Sequence, residues 1–99
     1  MELSVDRMAT IIACMYRVRA EVVVNYGIDE CYLFYGMNNN TLQIYYEEVE
    51  CLIVNEIIEI DCGCDEPGYE TVVYRLTDTS LQKIQEIIKD KRKIQLLLK

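Results

Sequence analysis

Residues 56–98 constrain the fold most, because they commit the chain to a strand, a turn, a second strand and a helix in unbroken succession. Glu56-Ile57-Ile58-Glu59-Ile60-Asp61 has strand character, and Cys62-Gly63-Cys64-Asp65-Glu66-Pro67-Gly68 concentrates turn-forming residues around the sole proline. Tyr69–Leu76 is again rich in β-branched and aromatic residues, so the three pieces predict an antiparallel hairpin. Thr77, Asp78 and Thr79 then offer alternative helix N-caps, with Thr79 and Gln82 spaced as a capping box. At 100° per residue, Leu81, Ile84, Ile87, Ile88, Ile94 and Leu98 fall within roughly 140° of one another, which predicts one amphipathic helix over about residues 78–98. Lys91 and Gln95 interrupt its distal stripe. That end suits a helix-helix seam better than a deep core, and a homodimer through the C-terminal helix is the expectation.

The N-terminal segment is also legible. Ser4 precedes Met8, Ile11, Ile12, Met15 and Val18 at helical spacing, so residues 5–19 read as an amphipathic helix capped by a serine hydroxyl. Glu21-Val22-Val23-Val24-Asn25 reads as an extended segment closed by a turn at Tyr26-Gly27. Residues 29–55 admit two readings. Cys31–Tyr35 and Thr41–Tyr46 flank Gly36-Met37-Asn38-Asn39-Asn40 as strands flank a hairpin turn. Alternatively, residues 29–35 and 41–55 are two helices, since Leu42, Tyr45 or Tyr46, Val49, and Leu52 or Ile53 recur at helical intervals.

Ninety-nine residues suit a single domain, here 1–99, with one core. The longest apolar runs fall far short of the roughly 18 residues of a membrane span. Residues 1–20 carry Glu2, Asp6, Arg7, Arg17 and Arg19 without a cleavable-signal pattern, so a cytoplasmic location with no membrane contact is expected. Five cysteines are an odd count for a disulfide framework and read mostly as small buried hydrophobes. Cys62 and Cys64 are the only close pair and the one candidate for thiol chemistry. The chain has no histidine, no glycine-rich phosphate loop and no nucleophile elbow, so neither an enzyme nor a cofactor is expected. Metal binding is not expected either, because the four ligands of a zinc site are missing. The tyrosines Tyr26, Tyr32, Tyr35, Tyr45, Tyr46, Tyr69 and Tyr74 read as core and interface residues.

The succession EIIEID, CGCDEPG, YETVVYRLTD, TSLQKIQEII resembles the wing and final helix of winged helix-turn-helix proteins, with Tyr74-Arg75-Leu76-Thr77 in the place of the motif that caps the next helix. With its C-terminal helix, the chain is similar to small archaeal winged-helix regulators that dimerise through that element. It has a vaguer similarity to small proteins of filamentous viruses of acidothermophilic archaea. The first resemblance implies an α+β, winged-helix-like fold: an N-terminal helix, a central helix-turn-helix or hairpin, a C-terminal hairpin and a long final helix. The alternative is an antiparallel sheet flanked by two terminal helices.

Charge decides what the resemblance can carry over. No Lys or Arg occurs between residues 20 and 74, while twelve Asp and Glu do. DNA affinity draws largely on cations that release phosphate counterions, so a recognition helix and wing without cations argue against DNA as the partner. Glu47, Glu48, Glu50, Glu56 and Glu59 are instead the expected acidic interaction face for a protein partner, with DNA mimicry as the sharpest form of that reading. Cations gather in residues 81–99, where Lys89, Arg92 and Lys93 mark a basic helix end. A small regulatory or protein-interaction protein is the expected function, and a winged-helix DNA-binding regulator the alternative.

Overall fold

The computed structural model describes residues 3–35, 40–63 and 71–97. Over these residues the chain runs α1 Val5–Arg17, β1 Glu21–Asn25, β2 Glu30–Tyr35, β3 Asn40–Gln43, α2 Tyr46–Val54, β4 Ile58–Gly63, β5 Thr71–Leu76, α3 Asp78–Lys89 and α4 Lys91–Leu97. The fold is α+β. Its five strands lie in the order β3-β2-β1-β5-β4, and every neighbouring pair is antiparallel. The first three strands form a meander. α2 then carries the chain from the β3 edge to the β4 edge, and β5 completes the sheet beside β1.

Because side chains alternate across a strand, one set of positions faces the helices. Val22, Val24, Cys31, Leu33, Tyr74 and Leu76 belong to a single buried cluster. The same cluster takes in Met8, Ile11, Ile12 and Met15 from α1, Val49 and Leu52 from α2, Ile84 and Ile87 from α3, and Ile94 from α4. All four helices therefore share the core on one side of the sheet. Val18, expected to close the α1 stripe, is half exposed at the helix C-cap, while Ser4 caps the other end by accepting the Arg7 N–H at 3.3 Å.

The two readings of the middle each hold over part of it. Residues 30–43 contain the hairpin strands rather than a first helix, since β2 and β3 pair Leu33 with Leu42 and Tyr32 with Gln43. Helical periodicity wins only from Tyr46, so the helix expected over 41–55 is shortened to 46–54 and follows a strand instead of a helix. The described residues of 29–46 thus form no helix-turn-helix. α2 ends on a left-handed residue, Glu56 at φ 58°, where the Ile57 N–H reaches the Leu52 carbonyl at 2.9 Å and the Glu56 N–H that of Ile53 at 3.0 Å. Glycine is the usual occupant of such a position.

The single long C-terminal helix is also corrected. It breaks at Asp90, which is extended (φ −119°, ψ 102°) and whose carboxylate accepts the Arg92 N–H at 3.0 Å, starting α4 as a cap. A continuous helix of that length would run about 30 Å and overshoot the core. The break turns α4 back so that Ile94 is wholly buried. Thr77, rather than Thr79, is the α3 cap: its hydroxyl accepts the Ser80 N–H at 3.0 Å and donates to the Glu56 carbonyl at 2.8 Å. No helix among the described residues is long and apolar enough to cross a membrane.

Candidate interaction surface

The other side of the sheet has a different fate. Val23, between Tyr32 on β2 and Val73 on β5, points away from the helices, as do Phe34 and Arg75. None of Val23, Tyr32, Phe34 and Val73 joins the cluster that the helices share. Register aligns Val73, Val23, Tyr32 and Gln43 in one row across four strands, with Phe34 between Glu21 and Thr41 in the next. Val23 is only 8% exposed, whereas Tyr32, Phe34 and Val73 remain half-buried. Beside Phe34 an open depression of about 680 Å³ is lined by Glu30, Cys31, Tyr32, Thr41 and Gln43. Among the described residues, no element covers this face.

Its charges are unbalanced. Arg75 is already held by Glu59 at 3.3 Å and Asp61 at 3.9 Å, and the exposed Arg19 lines one depression with Glu21 and Arg75 at the end of the face. Glu21 and Glu30 make no ion pair among the described residues. The surface is an aromatic and aliphatic strip inside an acidic rim.

The five carboxylates expected to form one acidic face are brought together only in part, Glu56 and Glu59 lining one depression with Ile53, Ile58 and Thr77. Glu48 is 1% exposed and leaves the surface altogether. Its carboxylate receives Arg7 Nε at 2.9 Å, Arg7 Nη2 at 3.0 Å and the Tyr45 N–H at 2.9 Å, locking α1 to the start of α2. This pairing holds the Arg7 guanidinium above its ordinary pKa, and the same group lies 5.2 Å from the Tyr45 ring centre. Glu47 and Glu50 are exposed on α2, Glu56 is exposed in the left-handed cap, and Glu59 lies beside Arg75 on the open sheet face.

Of the basic group, Arg92 turns back to Asp90 at 3.3 Å and Lys93 to Glu86 at 3.0 Å, while Lys89 is exposed in the last turn of α3. Of the apolar stripe of the C-terminal segment, Ile84, Ile87 and Ile94 are buried within the chain, while Leu81 and Leu96 are exposed among the described residues. Cys64 and the Cys62 side chain lie outside the described residues.

Burial, followed by the fields of Glu47, Asp29 and Glu30, pushes the Cys31 thiol up, and burial does the same for Cys51, so both resist forming the reactive thiolate. The Tyr26 phenol is pushed up by burial and by the hydroxyl of Tyr74 at 3.0 Å, and its ring meets Tyr46 edge-on at 6.1 Å. No group of three or more metal-ligating side chains occurs among the described residues.

Compared with protein-family models, curated proteins and solved structures, the chain matches none. The surface therefore has to be read from its own residues. Residue-pattern reasoning passed over it, although a signal was present. Val22-Val23-Val24 and Cys31-Tyr32-Leu33-Phe34-Tyr35 are apolar at both parities, the mark of a strand with something to bury on each side.

Proposed function

We propose that this chain is a non-enzymatic protein-interaction protein that docks a cationic partner protein on the open face of its sheet. One observation carries the reading: the Val73-Val23-Tyr32 row and Phe34 form an apolar strip, uncovered among the described residues, whose rim holds four carboxylates, Glu21, Glu30, Glu59 and Asp61, against the already paired Arg75 and Arg19 beside Glu21. Apolar area supplies the affinity, and unpaired carboxylates select the sign of the partner. Mimicry of nucleic acid is the sharpest form of this function, in which the partner's cationic surface is one that otherwise holds DNA or RNA.

Affinity capture with the native chain and with Tyr32→Glu/Phe34→Glu tests the proposal. Basic proteins are retained by the native chain, released by salt and lost with the double variant. Capture of the same proteins by both chains would remove the open face from the function. Release of the partner by added duplex DNA supports the mimicry form, and persistence of the complex in excess DNA counts against it.

A further inference from the structure

Building on that docking surface, we infer that its occupant is a basic amphipathic helix of about three turns, contributed by the partner and lying along the Val73-Val23-Tyr32-Gln43 row.

The row crosses four strands, and its three inter-strand spacings of about 4.8 Å each give roughly 14 Å. A helix of about ten residues spans that distance. Helices already cover the opposite face of the same sheet, and an apolar sheet surface is generally buried by a further layer of helices or of sheet. The depression beside Phe34, Thr41 and Gln43 receives one large apolar side chain at the end of the row. Glu21 lies one row to one side of Val23 and Glu30 one row to the other, so lysines or arginines flanking the apolar stripe of the helix meet a carboxylate on both sides.

Two other occupants fit less well. A second copy packed face to face sets Glu21, Glu30, Glu59 and Asp61 against the same four residues, a like-charge rim on both sides. An added strand needs a receptive sheet edge. β3 has only four residues, and β4 carries Glu59 and Asp61 with a register shift between Ile60 and Cys62, all features that oppose edge pairing.

The chain has no tryptophan, so a single tryptophan in a peptide reports its own burial without background. The probe is a peptide of about 14 residues with leucines at helical spacing, flanking lysines and one tryptophan. The comparison peptide has the same composition with leucine and lysine alternating as in a strand. The helical peptide is expected to bind with a blue-shifted tryptophan and to weaken about tenfold with Phe34→Ala. A second variant, Glu21→Lys/Glu30→Lys, changes only rim positions and is expected to weaken binding by a similar factor, with circular dichroism confirming that both variants fold.

Equal or tighter binding of the strand-patterned peptide, still sensitive to Phe34→Ala, would overturn the helix while leaving the docking face intact. Insensitivity of every peptide to both variants would remove the face itself. A dimer of the free protein that Phe34→Glu dissociates would make the occupant a second copy and overturn the inference.

Discussion

Leu33 and Phe34 are neighbours on one strand, yet the first is wholly buried beneath the helices and the second lies half-buried on the opposite face. Both faces of the sheet are apolar at their centre. What separates them is the rim: the helical face is closed by α1, α2, α3 and α4, whereas the open face ends in Glu21, Glu30, Glu59 and Asp61, which outnumber Arg75 and Arg19 beside them among the described residues. The difference teaches that hydrophobicity alone does not make a core.

Truncation on the two faces is the strongest way to break this comparison. Leu33→Ala is expected to cost about 2–5 kcal/mol in urea unfolding, the range for emptying a closed core site. Phe34→Ala is expected to cost less, about 1 kcal/mol, because its ring is partly exposed and lies outside the closed core. Equal losses would mean that the open face is packed as tightly as the other.

Ion pairs draw the same contrast at a smaller scale. Arg7→Ala strands the Glu48 carboxylate, 1% exposed, and is expected to destabilise by about 3 kcal/mol. Glu59→Ala on the open face removes an exposed partner of Arg75 and is expected to change stability by about 0–1 kcal/mol. A double-mutant cycle on each pair measures this directly. Comparable coupling energies would show that Glu59 and Arg75 are shielded from water.

Backbone strain gives a gain instead of a loss. Glu56→Gly relieves a left-handed, non-glycine residue and is expected to stabilise by up to about 1 kcal/mol in the same assay, whereas a loss would show that the Glu56 side chain contributes more than its conformation costs.

The smallest effect is local and pH-dependent. Hydrogen bonds from the Arg92 backbone and side chain hold the Asp90 carboxyl below its usual range. Since its folded pKa is depressed, this cap is fully present above the ordinary carboxylate pKa and lost as pH falls through the lower folded value. An NMR titration of the Asp90 carboxyl, followed with the Arg92 amide, is expected to show both moving together at a midpoint below 3.8. A midpoint at or above that value would remove Asp90 as the α4 cap.

Local order along the chain was set by sequence alone. The Ser4 cap with the Met8, Ile11, Ile12, Met15 stripe, the Val22–Val24 run, the C-terminal hairpin and the helix that follows it each rest on contacts within a few residues, which periodicity and capping chemistry express directly. Tertiary structure decided the rest. Tyr45 and Tyr46 suit strand or helix, and the choice fell to burial of Val49 and Leu52 against the sheet. Asp90 sits within an amphipathic repeat, and only the finite length of the core made it a break. Glu48 stands among surface-like glutamates, and its burial depends on the charge of Arg7, 41 residues away, beside the local Tyr45 N–H. Which of the two apolar parities of Cys31–Tyr35 stayed open was likewise fixed by where the helices packed, a long-range choice that no local pattern encodes.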